Sequence, residues 1–513
     1  MALLVCPECG KKVSEYASAC PECGCPIEVI KAQQKVEPTV NYVEKLGDLI
    51  PNKITENVKV TENIGDAEKQ AREWYSIADQ YCNQDNYDEA FKYFKMAADF
   101  GYAPAERDLG WCYEYGHGTS IDMQKAYEYY VRAANQGNAG AKFCLGCLYD
   151  AGKYVSRDLH EAFKWYLSAA EQGHPKAQSN LGYCYETGRG VERDVKLAVK
   201  WYKAAADQGH PRALANLGYC YEKGNGVPQD YNKAYEYYNQ AAQKGDSVGM
   251  CNLGFCYEKG YGGVTADPAS AFQWYFKAAN AGSSQAMNNL GYCYKSGLGT
   301  ERDLKKAFEW YLKGADKGNK MAQYAVALCF ERGDGVTRDN NRAFEYATRS
   351  ANQGYKYAQN LMGNYYYFGT GTTVNFTQAA AWYKKAAEQG YVTAQYNLGI
   401  CYDRGEGVTQ NYSEALRLYR LAADQGSNEA MNNLGNMYYN GKGVPTDKKK
   451  AFDCYLRAAK NGYTIGQSNV GLCYEYGYGV PIDYSEAIRW YRMAADKGHQ
   501  KAKEGLARLG ASY

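Results

Sequence analysis

The chain has 513 residues, with 59 Lys and Arg against 57 Asp and Glu and a formal net charge of +2. That balance gives no general attraction to nucleic acid or to an anionic membrane, so any recognition must come from local surfaces. No apolar run approaches a membrane span, and Met1 runs through Ala-Leu-Leu-Val into Cys6-Pro7 with no signal peptide, so a cytoplasmic location is expected.

Residues 6–24 read C-P-E-C-G-K-K-V-S-E-Y-A-S-A-C-P-E-C-G. Each C-x-x-C turn can direct two thiolates at one ion, and four thiolates close a tetrahedral zinc site. A redox C-x-x-C is the rival reading, but it needs a surrounding βαβ unit and this segment is too short for one. The stretch resembles the short zinc ribbon that opens many prokaryotic proteins, with Cys6, Cys9, Cys20 and Cys23 as ligands of one structural Zn2+ and Cys25 left out. Four protein ligands leave no position for a catalytic water. The ribbon is assigned to residues 1–27, and the polar, repeat-free stretch 28–70 reads as a flexible linker.

The rest of the chain repeats one unit. An anchor glycine recurs at Gly110, Gly146, Gly182, Gly218, Gly254, Gly291, Gly363, Gly399, Gly435 and Gly471, with Ala327 standing in once. The step is 36 residues except for one of 37 between Gly254 and Gly291, and a fixed period of this size means a solenoid. In the unit from Pro175, Ala177, Leu181, Cys184 and Tyr185 share one helix face, and Gly188 and Gly190 break the helix. Asp194 then stands where a second helix wants a short acceptor, and an Asp or Asn holds that place in all eleven full units. The second helix turns Ala198, Trp201, Tyr202, Ala205 and Ala206 inward and stops at Gly209. Because the anchor lies mid-helix and tolerates Ala327, it reads as a demand for small size at a close helix contact.

This pattern, A-x-x-x-L-G-x-x-Y-x-x-G-x-G-V…D-x-x-x-A-x-x-W-Y-x-x-A-A-x-x-G from about Gln70 onward, resembles the Sel-one-like repeat (SLR) family, a relative of the tetratricopeptide repeat. The resemblance implies an all-α solenoid of about twelve helical hairpins that serves as a protein-interaction scaffold, here expected to be a monomer. Residues 71–101 form a variant first repeat with Ala78 at the anchor, 102–498 eleven full repeats, and 499–513 a capping helix whose Lys501, Lys503, Glu504 and Arg508 face water.

Eighteen cysteines would suggest disulfides in a secreted protein, but eight of them, such as Cys184 and Cys220, fall two residues after the anchor and read as small stacked hydrophobes. Catalytic constellations are missing from the sequence: it has no phosphate-binding loop, no G-x-S-x-G and no H-E-x-x-H. His174, His210 and His499 share one repeat position and read as turn structure.

Removing the core stripe from the first helix leaves Ser179, Tyr183 and Glu186 pointing away, with Asn180 beside them. In the resembled family this side lines a concave groove. Three ladders run along it: asparagines (Asn180, Asn216, Asn252, Asn289), aromatics (Trp111, Tyr183, Tyr219, Phe255, Tyr292) and acids (Glu186, Glu222, Glu258). They are expected to hold an extended segment with apolar anchors and a Lys or Arg, the amides meeting its backbone. The competing reading is structural: asparagines bonded to the adjacent helix, and acids paired with arginines such as Arg189 and Arg193. The functional alternative to a scaffold is a regulator that contacts nucleic acid through the ribbon.

Overall fold

The structure, a computed structural model, describes residues 3–5, 12–14 and 60–511. The expected zinc ligands Cys6, Cys9, Cys20 and Cys23, and the linker up to residue 59, lie outside the described residues. The chain divides into two compact units, Met1–Trp74 and Tyr75–Tyr513. In the first, β1 (Leu3–Val5) pairs antiparallel with β2 (Lys12–Ser14), Val5 opposite Lys12.

Twenty-five helices follow from α1 (Val60–Cys82) to α25 (Gln500–Arg508), and they build an all-helical solenoid. The local logic is clear in α7 (Pro175–Thr187) and α8 (Val195–Asp207). Pro175 begins α7, where its missing N–H would have had no helical partner. Gly188, at φ 74°, ends α7 with its N–H on the Cys184 carbonyl. The Asp194 carboxylate then accepts from the Lys196 and Leu197 N–H groups at 2.9 and 3.0 Å. The corresponding Asp or Asn caps the second helix of all eleven hairpins, at about 1 kcal/mol each.

Packing explains the anchor. A methyl group at Gly182 would lie 2.6 Å from Cδ1 of Tyr202, a fully buried ring on the second helix of the same hairpin. The pair recurs as Gly110/Tyr130, Gly218/Tyr238, Gly291/Tyr311 and Gly399/Tyr419. Where Ala327 replaces the glycine, in α15 (Lys320–Arg332), the tyrosine position of α16 (Asn340–Asn352) is Ala347, also fully buried. Small size is therefore half of a rule: a large ring opposite demands glycine, and a small residue opposite admits alanine.

Each hairpin also rests on the one before. A side chain at Gly190 would collide with the Leu159 carbonyl, at the start of α6 (Leu159–Glu171), and the second turn glycine of most other hairpins makes the same approach. Gln178 of α7 donates to the Ala170 carbonyl of α6 at 3.2 Å and accepts from Gln208 at 2.8 Å, tying three helices together. Ser179, expected to face outward, is buried at 3% exposure. The start of α7 is wedged between α6 and α8, so its buried arc is wider than one core stripe. The thirteen described cysteines are unpaired, and those after the anchors are buried.

Candidate partner-binding surface

The first helices form the more closely set row. Neighbouring first helices touch directly, as α9 (Pro211–Lys223) does α11 (Ser247–Lys259) and α13 (Ser284–Ser296) does α15, while no pair of second helices makes a comparable contact. On that row the sequence-derived ladders separate into residues committed to the fold and residues left open.

The acids are committed. Glu186, Glu222 and Glu258 accept the hydroxyl protons of Tyr202, Tyr238 and Tyr275 at 2.6, 2.7 and 2.8 Å. Burial, and then the carboxylate itself, pushes each tyrosine hydroxyl far above its usual pKa, so each stays a donor. Lys223 and Lys259 sit 2.5 and 2.6 Å from Glu222 and Glu258, and over the rings of Tyr219 and Phe255. Among the described residues Glu186 has no side-chain cation within ion-pair distance: Arg193 reaches its backbone carbonyl, and Arg189, over the Tyr183 ring, pairs with Asp150. The expected negative charge is thus largely neutralised at Glu222 and Glu258 and survives at Glu186.

The aromatics run as an open strip from Tyr183 to Tyr292, with Tyr183, Tyr219 and Tyr292 exposed by 44%, 40% and 53% and Phe255 half-buried. Trp111 stands apart. It stacks on His117 at 4.3 Å, with Tyr87 on the ring's other contact at 4.4 Å, and Cys147 interrupts the ladder between Trp111 and Tyr183.

The asparagines divide most sharply. Asn180 lies close to the Tyr166 hydroxyl of α6, which donates to Cys147 Sγ at 3.5 Å, and Asn289 accepts from Gln285 at 3.0 Å and donates to Cys251 Sγ at 3.6 Å. Asn397 and Asn469 donate to Asn360 and Asn432 of the preceding first helices, at 3.1 and 2.7 Å. Asn216 and Asn252, half-buried on the touching pair α9 and α11, make no side-chain hydrogen bond among the described residues. Two adjacent amides with unused donors and acceptors, between an exposed Tyr219 and Phe255, are the feature on this row that the fold does not use.

The Sel1 repeat pattern matches twelve segments, residues 80–102 and then every hairpin from 103–138 to 464–499. The chain belongs to the Sel1 repeat family. Proteins of this family are protein-interaction scaffolds. Among solved structures, a protective antigen of uropathogenic Escherichia coli strains displaying an SLR fold is 34% identical, over 82% of this chain and 90% of that one, with a TM-score of 0.58. A Sel1 repeat protein from Oxalobacter formigenes is 32% identical over 59% of this chain and 87% of that one, TM-score 0.42. No curated relative matches the chain.

Two features of the Sel1 array extend what the sequence suggested. The expected pairing of Arg189 is present, with Asp150 of the preceding hairpin, and it is one case of a wider contact: the residue after the first turn glycine faces the acid position of the hairpin before, Lys153 with Glu114, Lys442 with Asp403 and, with the signs reversed, Asp334 with Lys295. The sign reversal at a constant offset of 39 residues is the sequence signal that marks the pairing as general. His174 and His210 also act as N-caps, their Nδ1 atoms accepting from the Ala177 and Ala213 N–H groups at 3.2 and 3.3 Å. Burial, then nearby cations led by Lys176, holds His174 down to about 4 and lowers His210.

Proposed function

We propose that this Sel1 repeat protein is a non-enzymatic scaffold that binds an extended protein segment along the first helices from α7 to α13, centred on Asn216 and Asn252. The observation carrying this reading is the pair of unused amides on touching helices beside open aromatic rings. Elsewhere in the array Asn397 and Asn469, at the same repeat position, are consumed by contacts between hairpins. An extended backbone presents donors and acceptors of its own, which the two amides can meet, while Tyr183, Tyr219, Phe255 and Tyr292 supply apolar area. Loss of a ligand contact leaves the fold intact, so Asn216→Ala with Asn252→Ala should abolish capture of the native partner in a pull-down without lowering the melting temperature. Unaltered capture by the double variant refutes the assignment.

The same reading places one structural Zn2+ on Cys6, Cys9, Cys20 and Cys23. Its support is the donor set, four thiols in two C-P-E-C-G turns, and the strand pair β1–β2, whose sequence connection carries the first turn. When bound, the ion would supply the fold of this small unit, with a binding free energy on the order of 10–16 kcal/mol. Purified protein is expected to hold one zinc, lost in Cys6→Ser with Cys20→Ser while the helical signal stays unchanged.

A further inference from the structure

The spacing of the open stations says which extended conformation the surface reads. Asn216 and Asn252 occupy the same position of α9 and α11, and these helices are in direct contact. Contacting helices lie ~8–10 Å apart, so equivalent side chains of α9 and α11 are set about that far apart. A β-strand returns to the same face every second residue, about 6.6 Å on, and next at about 13 Å, so it falls out of step with the row. A polyproline II helix has three residues per turn and rises ~3.1 Å per residue, which brings the same face back after about 9 Å. It also has no internal hydrogen bonds, so its carbonyls are free for the Asn216 and Asn252 amides.

The other groups on the row fit the same ligand. Rings at a constant register, the exposed Tyr183, Tyr219 and Tyr292 and the half-buried Phe255, form the aromatic-lined track on which proline and leucine side chains lie flat. Charge complementarity sets one end. Glu186 is the acid of this run with no side-chain cation paired to it among the described residues, and the Tyr202 hydroxyl occupies its Oε2. A basic residue therefore belongs at the end of the ligand nearest α7.

We infer that the partner segment of this surface is a polyproline II stretch with an apolar residue at every third position and a Lys or Arg at one end. This rests on the groove reading above and adds the ligand's conformation and period. The test uses the full chain and three synthetic peptides of equal length in fluorescence polarisation. One repeats proline-proline-leucine triplets behind a terminal arginine, one alternates leucine with threonine behind the same arginine, and one carries the triplets behind a glutamine. The expected order is the arginine triplet tightest, with the strand-forming peptide at least roughly tenfold weaker and the glutamine triplet also weaker. Asn216→Ala with Asn252→Ala should remove most binding of the triplet peptide, and Glu186→Gln, which keeps an acceptor for Tyr202, should erase the advantage of arginine over glutamine. If the alternating peptide binds as tightly as the triplet and loses affinity in the asparagine variant, the conformation is wrong and the groove reading stands. If the triplet peptide fails to bind, or binds the asparagine variant unchanged, the inference is overturned. In the second of these cases the groove reading falls with it.

Discussion

The hairpins before α15 and those after it use the same repeat positions for different ends. In the earlier group the Asn216 and Asn252 side chains make no hydrogen bond among the described residues, and Tyr219 and Tyr292 are exposed. In the later group Asn397 and Asn469 reach back to the preceding first helix at 3.1 and 2.7 Å. Between them lies the hairpin of α15 and α16, the one whose anchor pair is Ala327 with Ala347. A repeat position thus defines an address, and what is done there depends on whether a neighbouring hairpin already occupies its hydrogen bonds.

Substitutions can test this division, and the largest effect is expected at the anchors. Gly218→Val and Gly399→Val each drive a branched side chain into a buried tyrosine ring, at a cost of about 1–3 kcal/mol in thermal or chemical unfolding. Ala327→Val, facing Ala347, should cost clearly less; equal costs would mean that the partner residue does not set the rule. Next come the asparagines. Asn397→Ala with Asn469→Ala leaves half-made bonds worth about 1–3 kcal/mol each and should lower the melting temperature, whereas Asn216→Ala with Asn252→Ala should leave it almost unchanged. A matching drop in both double variants would erase the distinction between the two groups.

A smaller effect depends on pH and belongs to the earlier hairpins alone. His174 and His210 have folded pKa values below the usual 6.5, so the unfolded chain binds their protons first and stability falls as pH drops from about 6.5 towards 4. The later hairpins start their first helices with residues such as Tyr391, Ser427 and Tyr463 in place of a histidine. Replacing both histidines by Asn, the cap found at Asn138, should flatten the pH profile of unfolding between those limits. The smallest effect is the Asp403 and Lys442 pair, which a double-mutant cycle should value at about 0–1 kcal/mol because both side chains are partly exposed.

Most of the architecture could be read from the residues, because glycine, aspartate and small apolar residues recur where backbone geometry demands them. Asp194 and Gly188 announce a cap and a stop through local chemistry, with no reference to the rest of the chain. The surface was harder. A helical wheel placed Ser179 outside because it counts one buried stripe, and α7 is flanked by two second helices. Likewise Asn216 and Asn397 are the same letter in the same register, and only the neighbour, Asn360 in one case and no polar partner in the other, distinguishes them. Trp111 looked like the first rung of the aromatic ladder because its stacking on His117 is set by a turn rather than by the period.

The approach of Gly190 to the Leu159 carbonyl, repeated down the array, has a bearing on heredity. Most seams between hairpins are built from the same backbone contact, so a recombination event that removes or duplicates one whole unit leaves behind a junction like most of the others. Copy number can then drift while each join stays sound, and the length of the surface offered to a partner becomes a quantity that selection can adjust in whole steps.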